Sequence, residues 1–262
     1  MIMEIVKFVK IKNNKYKVIM NDKQEYLLYD DLIVAYNLLA NKNIDQKLLT
    51  KIMQENEYLE AYYKGLKYLT TRLRTKKELT KLLQKDFEPK IITETIYRLQ
   101  KEGYLNEVKY LRAYINDQIY LTLNGPYKIL RNLENLGLDL DLINQELNQI
   151  GNHLWQERIN KIITKKLKLK AHLPAYMVKQ KLSNELYQLG YDKEMSDKIL
   201  GPIKLSNPEH LVQQAGNKIW LKYQNKYEQN KLIAITAQKL YQKGFTYEEI
   251  ENFITSKKET NN

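Results

Sequence analysis

KLLQKDFEPKIITETI, residues 81–96, falls into register with three later stretches of the same chain: NLENLGLDLDLINQEL at 132–147, ELYQLGYDKEMSDKIL at 185–200 and KLYQKGFTYEEIENFI at 239–254. In each, a leucine (Leu82, Leu133, Leu186, Leu240) stands four residues before a chain reversal at Asp86, Gly137, Gly190 or Gly244. An apolar residue follows at once: Phe87, Leu138, Tyr191 or Phe245. The reversals are 51, 53 and 54 residues apart. A helix ends readily where one residue turns left-handed. Glycine does so without Cβ strain, and the next apolar residue folds back onto the helix just left. Aspartate at position 86 would adopt that conformation at greater cost. A second helix starts two or three residues on, with Thr246 and Glu249 at capping-box spacing and Asp139 and Asp192 as caps.

A further helix precedes each pair. Thr75 and Glu78 have capping-box spacing ahead of Leu79, Leu82 and Leu83; Leu66, Leu69 and Leu73 mark the helix before that; Pro126 and Pro174 suit first turns. Two helices close their apolar stripes poorly, whereas three enclose a core of about 45 residues, small enough that neighbours should stack. The expected fold is mainly all-α: tandem three-helix, helix-turn-helix-like repeats at 61–107, 108–151, 152–204 and 205–255, forming an elongated array, with a frayed polar tail at 256–262. The start reads otherwise. Glu4–Lys12, Lys15–Met20 and Glu25–Tyr29 are β-prone runs broken at Asn13-Asn14 and Asn21-Asp22, which predicts a small N-terminal β-meander of three strands. Asp30 is expected to cap a helix through Leu32, Ile33, Tyr36 and Leu39, and Leu48, Leu49, Ile52 and Met53 to line another, closing a module at 1–57.

Composition agrees with helices. Nine glycines and five prolines in 262 residues leave few turns for a β protein. With no cysteine, disulfides and thiolate metal sites are excluded. No apolar run approaches the ~20 residues of a membrane span, and no secretory signal is visible, so the expected location is cytoplasmic. The net charge is +12, which favours polyanionic partners. Richness in Lys, Asn, Ile and Tyr is also what an AT-rich genome supplies. Codon bias alone, however, would spread the charge evenly. Residues 153–181 carry net +7, while 108–151 carry net −1.

The run from Tyr68 to Gln118 resembles the most characteristic stretch of the RecX family: a basic Arg-x-Arg-Ser/Thr segment (Arg72-Leu-Arg74-Thr75), a Glu-Leu helix (Glu78-Leu79) and a Gly-Tyr-Leu turn (Gly103-Tyr104-Leu105-Asn106-Glu107). Asn124-Gly125-Pro126, Ile129, Leu133 and Leu136-Gly137-Leu138 look like the next segment of that family. Asp86 replaces its usual glycine, Asn106 its first acidic residue, and Leu111 a residue that is usually small. The resemblance is strongest over 68–150 and stays in register beyond. It implies a non-enzymatic regulator that lies in the groove of a RecA–DNA filament and modulates, in the inhibitory sense, RecA recombinase, ATPase and coprotease activity. The implied partners are the RecA filament and DNA, single-stranded or double-stranded, with the chain acting as a monomer without cofactors in DNA repair, recombination and the SOS response.

Candidate contacts to RecA or DNA are Arg72, Arg74, Lys76 and Lys77, Lys128 and Arg131, and Arg158, Lys161, Lys165, Lys166, Lys168 and Lys170. Cations at a helix entry oppose the macrodipole and so do not serve helix stability; a free surface loop explains the first group equally well. Lys128 and Arg131 are neighbours on one helix face, where solvated cations are ordinary. The last group reads either as a partner contact or as the wet side of an amphipathic helix. Tyr97, Tyr104, Tyr110 and Tyr114 are expected at the core edge rather than as base-stacking platforms. His153, His172 and His210 lack metal-ligand spacing. Nothing matches GxxxxGK[ST], GxGxxG or GxSxG. The alternatives are a helix-turn-helix reader of duplex DNA, disfavoured by four linked units, and a hydrolase or nuclease, disfavoured by the absent metal constellation.

Overall fold

A computed structural model describes residues 2–170, 173–203, 205, 207 and 209–260. Strands β1 (Ile2–Lys10), β2 (Lys15–Met20), β3 (Glu25–Tyr29) and β4 (Asn43–Asp45) form one antiparallel sheet in the order β3-β2-β1-β4. Asn13 and Asn14, at φ 62° and 58°, make the tight hairpin that asparagine tolerates. The meander was legible and β4 was not: only Ile44 of its three residues is buried, too little to give an alternating pattern. A second correction concerns Asp30. It is the first residue of α1 (Asp30–Ala35), not its cap. That helix stops where Asn37 turns left-handed (φ 47°), so Leu38 is buried and Leu39 is left in solvent.

Helix α2 (Gln46–Leu69) starts with the Asp45 carboxylate accepting from Leu48 N at 2.7 Å. Its 24 residues reach about 36 Å, enough to serve two cores. Leu49, Ile52 and Leu59 pack with Met3, Ile5, Val18, Met20 and Leu28 of the sheet. Ala61, Tyr62 and Leu69 pack with Leu79 and Leu83 of α3 (Lys76–Leu83) and with Ile92, Ile96 and Leu99 of α4 (Pro89–Lys101). The helix is continuous through residues 57–61, where the sequence suggested a module boundary, and it ends before Leu73, which is exposed. Buried Asn56 explains the continuity: its side chain accepts from Tyr29 N and donates to Leu27 O, supplying the outer edge of β3 with the partners it lacks.

The remaining helices are α5 (Glu107–Leu121), α6 (Pro126–Asn135), α7 (Leu140–Asn148), α8 (Asn152–Leu169), α9 (Ala175–Gln188), α10 (Lys193–Leu200), α11 (Glu209–Tyr223), α12 (Gln229–Gln242) and α13 (Tyr247–Thr260). The chain forms two compact units, residues 1–112 with 135–138 and residues 113–134 with 139–262. Within the second, α8, α9 and α10 pack on one another, as do α11, α12 and α13. The expected caps are present at Thr75/Glu78, Asp139, Asp192 and Thr246/Glu249. Asn106, where an acidic residue was expected, caps α5 by accepting from Lys109 N at 2.8 Å. The last helix runs through Thr260, past the start of the expected tail at Ser256.

Gly137, Gly190 and Gly244 are left-handed, at φ 83°, 84° and 86°. Each is also wedged against the first turn of a helix one repeat earlier. A Cβ at Gly137 would lie 2.7 Å from Lys77 Cδ, at Gly190 2.5 Å from Lys128 Cβ, and at Gly244 2.8 Å from Tyr176 Cβ. The middle of these contacts is double. Gly125 N donates to Leu189 O at 2.7 Å and Tyr127 N to Gly190 O at 3.0 Å. N–H groups at the start of α6 that lack an intrahelical partner are thereby satisfied by the turn of the following repeat. Asp86, by contrast, is not left-handed. Its turn closes through Phe87 N to Leu83 O at 3.1 Å, and its carboxylate meets Lys64. No three-helix repeat precedes it, so nothing there demands a missing Cβ.

Candidate partner interface

The cations singled out in the sequence divide by what their side chains touch. At the entry to α3, Arg72 donates to Glu78 Oε1 at 2.7 Å, and Arg74 lies 3.5 Å from the same atom with its guanidinium 4.1 Å from the Tyr68 ring centroid. Glu78 also accepts from Thr75 N at 3.0 Å as the capping-box partner. One carboxylate therefore offsets both arginines against the positive end of the helix dipole. Lys77 donates to Asn135 O at 2.9 Å beneath Gly137. Lys128 is half-buried beneath Gly190. Lys76 and Arg131 are exposed, as are Arg72 and Lys77 alongside their contacts.

Partial burial pushes the Glu78 carboxyl up, but the Thr75 backbone bond and the Arg72 contact outweigh it and hold the pKa below the usual carboxylate range. A depressed pKa contributes stability that is full above the unfolded value, about 4.3, and is lost as pH falls through the folded one. Glu78→Gln keeps the cap geometry and removes the charge. It should cost up to about 1 kcal/mol at pH 7, and thermal melts should show the gap from wild type closing as pH falls below the usual carboxylate range.

The basic stretch of α8 also splits. Arg158 turns inward: its guanidinium donates to Ile119 O, to Thr122 O at 2.8 Å, to Asn124 O at 3.3 Å and to Tyr191 Oη at 3.3 Å. These carbonyls belong to the C-terminal end of α5 and the segment leaving it, where a helix has unpaired acceptors. Arg158 is thereby a structural clamp that ties α8 to the segment leaving α5. Lys166 and Lys170 approach Glu185 at 3.3 and 2.7 Å. Burial raises the Glu185 carboxyl, yet hydrogen bonds from Lys170 and Lys166 bring it below its ordinary value.

What remains is Lys161, Lys165 and Lys168, exposed on one face of α8 and without an acidic partner among the described residues. With Asn160, Thr164 and the exposed Leu169 they line a shallow depression of about 600 Å³. Lys161 and Lys165 are like charges at i,i+4 and cost the helix a few tenths of a kcal/mol; Lys168 in the last turn favours it through the dipole.

Tyr97 and Tyr104 were expected at the core edge and stand in solvent instead. A cluster the sequence did not announce lies near them: Arg98 stacks on Tyr62 at 4.0 Å and donates to Glu102, which accepts from Tyr62 Oη at 2.6 Å. Arg98 and Glu102 have helical ion-pair spacing; only packing brings in Tyr62. Among the described residues no group of three or more His, Asp or Glu is placed to hold a metal ion, and His172 lies outside them.

Comparison with known proteins extends these observations. The family model described as RecX, first three-helix domain, matches residues 61–99. Regulatory protein RecX of Listeria innocua serovar 6a is 25% identical over 246 residues, spanning 92% of this chain and 91% of that protein. Its counterpart in Streptococcus agalactiae serotype Ia is 27% identical over 256 residues, spanning 95% and 98%. Among solved structures, a regulatory protein RecX shares the fold with a TM-score of 0.66 at 21% identity, covering 75% of this chain and 98% of that one. RecX from Lactobacillus salivarius gives 0.54 at 24% identity, over 56% and 96%.

Proposed function

The chain belongs to the RecX family, and on that premise we propose that it is a non-enzymatic regulator that binds the RecA–DNA filament as a monomer in the cytoplasm and inhibits RecA, with the outer face of α8 as one contact. The observation that carries the contact is the unpaired trio Lys161, Lys165 and Lys168 beside the exposed Leu169. Three cations about one turn apart match a row of phosphates or carboxylates. A non-enzymatic regulator acts by binding one state of the filament in preference to another. No helix among the described residues is long and apolar enough to cross a membrane.

Co-sedimentation with RecA, single-stranded DNA and a slowly hydrolysed nucleotide is the test. The chain should pellet with filaments and lower DNA-dependent ATP turnover at substoichiometric amounts while hydrolysing none itself. Failure to pellet at saturation would sink the proposal, and a footprint on random duplex without RecA would favour the helix-turn-helix alternative. Replacing Lys161, Lys165 and Lys168 together by glutamine should leave stability within about 0.5 kcal/mol. If the trio meets DNA, the slope of log K against log salt should shrink by about 0.9 per duplex phosphate contact removed, or about 0.7 on single strands. A triple variant with wild-type affinity and salt dependence would make this face merely solvated.

A further inference from the structure

A second cationic surface lies in the last repeat, on residues the sequence reading left aside. Lys218 and Lys222 are four apart on α11, Lys239 lies in the last turn of α12 with Lys243 four residues on as its C-cap, and all four line one groove of about 590 Å³. Repulsion between like charges at i,i+4 is offset where cations sit at a helix C-terminal end, as Lys222, Lys239 and Lys243 do, and all four converge on the same opening. Lys222 and Lys239 even share one ring, at 5.6 and 5.3 Å from the Tyr223 centroid. Among the described residues, no acidic side chain lines the groove. Its floor is apolar, formed by Met177, Ala215, Ile219 and Phe245.

We propose that this groove receives an acidic amphipathic peptide segment of a partner protein, with its carboxylates on the four lysines and its apolar side chains on the floor between them. The lysine pairs are each about 6 Å long, the distance between carboxylates four apart on a helix. A groove whose lining combines apolar side chains with lysines from two helices suits an amphipathic helix that carries both apolar and acidic residues. Nucleic acid fits less well. A sugar-phosphate backbone has no use for the apolar floor, and Tyr223, already stacked on Tyr227 at 6.1 Å and flanked by two ammonium groups, offers no open face to a base. This surface is separate from Lys161, Lys165 and Lys168, so it stands or falls independently of the α8 contact.

The probe is a fluorescein-labelled peptide of about fourteen residues, roughly four helical turns, with glutamates four apart on both sides of a leucine and phenylalanine stripe. Fluorescence anisotropy with the full chain should show saturable binding. The same peptide with glutamines for glutamates should not bind, and an oligothymidylate of equal charge should compete poorly. Replacing Lys218, Lys222, Lys239 and Lys243 by glutamine should weaken binding about tenfold or more, as four exposed ion pairs are lost. Ala215→Glu, which sets a carboxylate on the floor, should do the same and provides an independent variant should the quadruple one unfold. The α8 triple variant should bind the peptide normally. No binding to the wild-type chain, equal binding of the glutamine peptide, or stronger binding of the oligothymidylate would each overturn the assignment, the last making the groove a nucleic-acid contact.

Discussion

Arg158→Met is expected to lower the thermal midpoint by roughly 6–12 °C, the shift that about 3 kcal/mol produces in a chain of this size. The substitution keeps the aliphatic stem and removes every donor. The carbonyls of Ile119, Thr122 and Asn124 lose the guanidinium they share, and an acceptor left unsatisfied out of water costs about 1–3 kcal/mol. Arg158→Lys should recover only part of the loss, because one ammonium cannot reproduce a planar fork that also reaches Tyr191. The result separates two roles for a residue that the sequence placed among surface contacts. An outward contact would leave the melt unchanged and reduce only partner affinity; a clamp lowers stability and, with folding maintained at low temperature, spares affinity. A variant that melts with wild type would remove the structural role assigned here.

Gly190→Ala is the second large effect. The left-handed backbone (φ 84°) costs a residue with a Cβ about 1–2 kcal/mol. The new methyl would also sit 2.5 Å from Lys128 Cβ and close to the backbone of that residue, which cannot move away as a flexible side-chain tip does. Overpacking adds about 1–3 kcal/mol, so a total of roughly 2–5 kcal/mol is expected by chemical denaturation. Gly103→Ala supplies the control: its φ is 80°, but nothing lies within 4 Å of the added atom, and only the backbone cost of about 1–2 kcal/mol should remain. Equal losses at the two positions would show that the turn alone, and not docking onto the previous repeat, requires glycine.

Much of the local structure was determined by sequence alone. The leucine-to-glycine register, the capping boxes at Thr75 and Thr246, the aspartate caps and the first three strands are written in spacings of two to four residues, the range over which backbone conformation and helix ends are decided. The concentration of charge near α8 was equally visible. Tertiary structure decided which way those charges point. Arg158 and Lys166 are both cations on one helix, yet Arg158 serves carbonyls more than thirty residues earlier and Lys166 faces Glu185 nineteen residues later. Lys77 and Lys128 lie under glycines of the following repeat. The fate of such a side chain depends on groups far along the chain, and no local periodicity encodes them. The same reason hides the groove of α11 and α12: each helix shows an ordinary lysine pair, and only packing sets the two pairs around a common apolar floor.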